Sequence, residues 1–167
     1  APEAPALPAV HVEAREGGAR IWIHAPSVAE RIGLGNSLDL WLRERGEALC
    51  LGELWQPLLT PNLNKMVRFT EGEIKEAVTV RMDVNADGEI SDWQFMLSTI
   101  RPKATVNALQ LKALSERKPR ARTVPAALKP IKDHLSQLET LVFSAASLCS
   151  RERKDGSVQL DLQPPSL

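Results

Sequence analysis

Tyrosine is missing from the 167 residues, and aromatics make up only 4% of them, as four Trp and three Phe. Base stacking therefore has few platforms, and Trp22, Trp41, Trp55 and Trp93 read as core anchors ahead of base platforms. The two cysteines, Cys50 and Cys149, lie far apart with no CxxC companion. That spacing excludes a disulfide scaffold and a zinc ribbon, and both read as free buried thiols. Charge of one sign is also lacking, because Lys plus Arg and Asp plus Glu both number 21. No global basic field draws in nucleic acid, so any RNA contact has to come from a local patch. No apolar run reaches membrane-span length and no signal peptide is visible. The expected compartment is cytoplasmic or organellar (plastid or mitochondrion), and not secreted. Ser27, Ser144 and Ser147 have no His/Asp partners at informative spacing, and no small-molecule substrate is evident.

What is present centres on Ala77 to Lys103. Val78, Val80, Met82 and Val84 alternate with Thr79, Arg81 and Asp83, the period of a half-buried strand. The alternation resumes from Ile90 through Trp93 and Phe95, and Asp87-Gly88 between the runs signals a hairpin. An alternative reads Asp83, Asn85, Asp87 and Ser91 as a calcium-binding EF-hand loop. Against it, the last loop position is Gln94, a neutral amide, and the β-branched Val78-Thr79-Val80 disfavours an incoming helix. The hairpin is the expectation, with Ca²⁺ kept only as the alternative.

Residues 1–8, with three prolines, read as an extended lead-in, and residues 9–167 as one domain. Val10 and Val12 with Ile21 to Ile23 form an expected hairpin through Arg15-Glu16-Gly17-Gly18. Ser27 is positioned to cap a short helical turn after Pro26. Asn36 or Ser37 caps a helix that Gly46 stops. Leu49-Cys50-Leu51 reads as a short strand, and Trp55 to Pro61 as an irregular segment. A helix from Val106 leads to the basic run Arg117 to Arg122. A long amphipathic helix is expected from about Pro125 to Arg153, with Leu128, Ile131, Leu135, Leu138 and Leu141 on one stripe. Pro130 is tolerable in its first turn and would kink it later. A strand from Ser157 to Leu162 and Pro164-Pro165 complete the chain.

From Arg20 onward this order of pieces resembles the catalytic domain of the ribonuclease II / ribonuclease R family of 3′-to-5′ exoribonucleases, the RNB domain. The carriers are Arg20-Ile21-Trp22-Ile23-His24, Gly35-Asn36-Ser37-Leu38-Asp39 with Arg43-Glu44-Arg45-Gly46, and Gln56-Pro57-Leu58-Leu59-Thr60-Pro61. Ile100-Arg101-Pro102-Lys103-Ala104 and the stretch from Arg151-Glu152-Arg153 to Leu162 follow in family order. The resemblance implies an α+β fold: an RNB-like mixed or antiparallel sheet with hairpins and two or more packed helices, including the long C-terminal one. It also implies Mg²⁺ held by an aspartate cluster ahead of the first strand. Here that region, about Ala1 to Ala9, offers only Glu3, and the family's "H-I-A-D" is His24-Ala25-Pro26-Ser27. A tyrosine of the family that packs against the RNA 3′ end falls on Cys50.

The expectation is therefore a pseudoenzyme: a partial, degenerate RNB-derived module without catalytic residues or a resident metal. It would bind RNA or serve as a structural subunit in a larger protein or ribonucleoprotein assembly, with RNA, protein or both as partners. The alternatives are a fragment of an active Mg²⁺-dependent exoribonuclease and the calcium-binding interaction domain. Arg117, Lys118, Arg120 and Arg122 form the candidate phosphate-contacting run, with Arg151 and Arg153 as a second group. The competing readings are a solvated interhelical loop and helix C-terminal charges that complement the dipole. His24 reads as a satisfied core or rim imidazole.

Overall fold

The computed structural model describes residues 7–51, 54–118 and 121–155. Four strands, β1 (Ala9–Arg15), β2 (Gly18–Pro26), β5 (Lys75–Asn85) and β6 (Ile90–Ile100), form one sheet in the order β1-β2-β5-β6. Every neighbour is antiparallel, so the mixed-or-antiparallel expectation resolves to antiparallel. Between β2 and β5 lie a 3₁₀ turn (Ala29–Arg31), α1 (Ser37–Arg45), the small ribbon β3 (Leu49–Leu51) with β4 (Leu54–Gln56), and α2 (Pro61–Val67). After β6 come α3 (Ala108–Ser115), a 3₁₀ segment (Ala126–His134) and α4 (Leu135–Asp155). The fold is α+β, with both expected hairpins in place. Among the described residues, no helix is long and apolar enough to cross a membrane.

Strand register places the apolar side chains on one face. Val10, Ile23, Val80 and Phe95 stand in one row across the sheet, and Val12, Ile21, Met82 and Trp93 in the next. One core forms where α4 crosses this face, with Val12, Ala19, Ile21 and Val84 beneath Leu141 and Leu148. A second core joins α3, the 3₁₀ segment and the start of α4 through Leu114, Leu128, Ile131 and Leu135. The opposite face is charged. Glu13, Arg20, Asp83 and Asp92 share a row, and Arg20 donates two hydrogen bonds of 2.6 Å to Asp83.

The Asp87-Gly88 turn is built from its own backbone and from Asn85. The Asn85 Oδ1 accepts from the N–H groups of Asp87 at 3.0 Å and Glu89 at 2.8 Å. Gly88 has φ +78°, and a Cβ there would strike the Ser147 carbonyl of α4, so the turn and the helix touch through backbone. The helix-loop-helix of an EF-hand does not form here. Strands, not helices, flank the turn, Asp83 is engaged by Arg20, and the Ser91 hydroxyl donates to the Asp83 carbonyl at 3.4 Å.

Three further expectations change. The stretch read as irregular is so only from Pro57 to Thr60, because its ends belong to β4 and to the first residue of α2. Thr60 caps α2 by accepting from Leu63 N–H at 3.4 Å, and Pro61 sits in its first turn, where the missing N–H costs nothing. The single helix expected from Pro125 splits, because Pro130 lies inside the first part and Ile131 leaves helical geometry at φ −112°. The tryptophans are not uniformly core anchors: Trp93 is 61% exposed and Trp41 is 42% exposed. Cys149 is a free thiol but half-buried where a buried one was expected, and the Cys50 side chain lies outside the described residues. The expected strand from Ser157 to Leu162 lies outside the described residues.

Candidate functional site

The last residues of β2 and the connecting segment after it line a groove of about 560 Å³. Ala25 and Pro26 form one wall, and Val28 and Ile32 of the following turn extend it. Leu42 and the Asp39–Arg43 pair of α1 face them, and Pro57-Leu58-Leu59 closes the end. Two stretches that carry the sequence resemblance, Gly35–Asp39 with Arg43 and Gln56–Pro61, thus line one cavity with the residues that follow His24.

Local chemistry explains how each wall is held. The Asn36 side chain caps α1 by accepting from Asp39 N–H at 2.8 Å. Asp39 in turn accepts from Gly35 N–H at 2.8 Å and from Arg43 Nε at 2.9 Å. The backbone donor first, and the guanidinium second, hold the Asp39 carboxyl below the usual carboxylate range. Both of its oxygens are spent on shaping the loop. Ser27, the position where the family motif carries an acid, is buried, and its N–H donates to the Glu76 carbonyl at 3.3 Å. At the rim, His24 Nδ1 lies 2.7 Å from the Thr79 hydroxyl. Burial, and secondarily His11, lowers the His24 pKa and favours the neutral imidazole.

A divalent cation of the Mg²⁺ type needs several hard oxygen ligands. The groove offers one carboxylate, already bonded twice, and one amide, Asn64, beside the Arg43 guanidinium in a lining otherwise of Ala, Pro, Val, Ile and Leu. Among the described residues, no group of three or more His, Cys, Asp or Glu could hold a metal ion. The residues present do not fit the ion.

Resemblance at the sequence level now has independent support. The sequence model of the RNB domain matches residues 4–166. This chain belongs to the RNB family. No curated protein matches the RNB chain, but solved structures do. Mycoplasma genitalium RNase R in complex with ribose-methylated single-stranded RNA superposes with a TM-score of 0.75 at 15% identity, over 96% of this chain and 24% of that one. Yeast Ssd1, a pseudonuclease, gives 0.66 at 22% identity, over 95% of this chain and 18% of that one. An active-site mutant of the Dss1 exoribonuclease from Candida glabrata gives 0.71 at 15% identity, covering 95% and 22%. The RNB chain thus spans about a quarter or less of the length of these relatives.

Among the described residues, the basic candidates differ in what they contact. The Arg117 guanidinium turns inward, ion-pairs with Glu139 of α4 and donates to the Ala121 carbonyl. Its observed work is to fasten the interhelical loop. Lys118 and Arg122 are exposed on that loop, and Arg120 lies outside the described residues. Arg151 of α4 lies 3.8 Å from Glu89 beside the hairpin turn, far along the chain from the loop; the Arg153 side chain is outside the description. The exposed aromatic pair Trp93 and Phe95, with ring centroids 5.5 Å apart, escaped the sequence reading. Alternation placed both on the core face, and nothing local reports that the helix covering this face stops short of them.

Proposed function

We propose that this RNB chain is a non-catalytic, ribonuclease II-like module that binds RNA or braces an RNA-handling assembly. One observation carries the reading: the groove that two of the motif-bearing stretches line, at the end of β2 where the family motif carries an acid, holds a single carboxylate, and that carboxylate is committed to Gly35 and Arg43. Hydrolysis of a phosphodiester by the family's two-metal route requires carboxylates free to position Mg²⁺. An apolar lining with one internal ion pair can cradle or pack, and it lacks the ligands to activate water. The likeness to an RNase R that was captured with RNA, and to a named pseudonuclease, supports this combination.

The test is direct. A 5′-labelled single-stranded RNA incubated with the chain and Mg²⁺ stays at full length, and a ladder of 3′-shortened products would remove the non-catalytic reading. Binding is followed by fluorescence anisotropy at several salt concentrations. Lys118→Glu with Arg122→Glu weakens the affinity and lowers the salt slope by about two, one for each lost phosphate contact. An unchanged slope would move RNA away from the interhelical loop.

A further inference from the structure

Among the described cations of the interhelical run, Arg117 is the one turned inward. Its side chain is 8% exposed, whereas Lys118 and Arg122 stand out from the loop. It follows directly on α3, where its own N–H donates to the Leu114 carbonyl at 3.2 Å. Leu114 belongs to the second core, with Leu135 and Leu138 of α4 packed against it. Glu139, the residue after Leu138, meets the guanidinium at the edge of that core and pairs with its Nη1. The Nη2 group donates to the Ala121 carbonyl at 2.5 Å. Ala121 in turn donates its N–H to the Lys118 carbonyl at 3.1 Å. A planar guanidinium serves two such partners at once in a fixed geometry, which a lysine ammonium on a flexible stem does not.

We propose that Arg117 is a positioning residue for RNA: it spends its charge on Glu139 and, through the Ala121 carbonyl, holds the backbone from which Lys118 and Arg122 reach phosphates. This role rests on the reading of the chain as an RNA-binding module. The bonds from Arg117 run to both exposed cations. Lys118 is tied through its own carbonyl, and Arg122 follows directly on the carbonyl that Arg117 grips. A loop ordered before RNA arrives does not have to be ordered by it, so less binding free energy is lost. For Arg117 to touch a phosphate itself, it would have to leave both partners and strip Glu139 of its counter-charge. Arg117 therefore supplies geometry, while Lys118 and Arg122 supply the released counterions.

The experiment compares the 167-residue chain with Arg117→Met/Glu139→Leu, an apolar pair that keeps the packing and removes the bond to Ala121. Circular dichroism and thermal unfolding match the wild type. Trypsin cleaves after Arg122 about fivefold faster in this variant, because the loop opens more often. Affinity for single-stranded RNA, read by anisotropy, falls roughly tenfold, while the salt slope stays that of the wild type. A second variant, Arg117→Glu with Glu139→Arg, restores an ion pair to α4 but no donor to the Ala121 carbonyl. It behaves like the apolar pair, and it carries the test if that pair does not fold. Unchanged cleavage overturns the hold on the loop. Faster cleavage with unaltered affinity overturns the part in RNA binding, as does full affinity in the swapped pair. A slope that falls by about one would make Arg117 a phosphate contact and overturns its positioning role. A wild type that binds no RNA ends the RNA reading and this role with it, whereas the trypsin rates still show whether Arg117 holds the loop.

Discussion

The sheet face beneath α4 and the face beside it are made of the same kinds of residue, yet one is core and the other is surface. Ile21 and Ile23 stand two positions apart on β2 and point the same way; Ile21 is buried and Ile23 is exposed. Met82 and Trp93 are direct cross-strand partners, and only Met82 reaches the helix. The difference teaches that strand alternation decides which residues share a face, while burial depends on what another element lays over it.

The sharpest way to break this comparison is to cut the same amount of side chain from both regions. Ile21→Ala removes packing under α4 and is expected to cost about 2–5 kcal/mol in chemical denaturation. Leu97→Ala, measured in dilute protein, should stay within about 0.5 kcal/mol. Equal losses would mean that the open half is roofed after all.

Gly88→Ala sharpens the boundary. The turn at the end of β5 and β6 reaches α4 here, and a Cβ meets both the Ser147 carbonyl and a positive φ. We expect a loss of roughly 2–4 kcal/mol, read as a lower denaturation midpoint. A neutral outcome would show that the hairpin turn does not bear on the helix.

The smallest effect belongs to the opposite, charged face. Arg20 holds the Asp83 carboxyl below its ordinary pKa, chiefly by direct hydrogen bonding. Its contribution is therefore full above the unfolded-state pKa and lost as pH falls through the depressed folded value. Asp83→Asn should lower stability near neutrality, and its gap from the wild type should close in acid. A gap independent of pH would assign the effect to packing and not to charge.

Several elements were legible because their signals are local. Val78 to Met96 announces a hairpin by period and by Asp87-Gly88, and Asn36 before Ser37 announces a helix by capping. The helix at Pro61 was not, since Pro-punctuated sequence reads as loop until Thr60 is seen to cap it. Family membership was visible in the order of motifs, but their meeting around one groove was not, because Ala25, Asp39 and Leu58 are brought together only by folding. Arg117 shows the same limit. As sequence it is one cation in a basic run, and its inward pairing with Glu139 depends on how α4 packs back against the loop.

By itself, then, the chain's order of residues determined strand period, turn and cap positions, the order of the family motifs and the two candidate basic groups. Only the tertiary structure decided which of the described apolar residues are covered and which charges are spent internally. The reason is physical: backbone preference and alternation act over a few neighbours, whereas desolvation and ion pairing depend on surfaces that distant segments bring together.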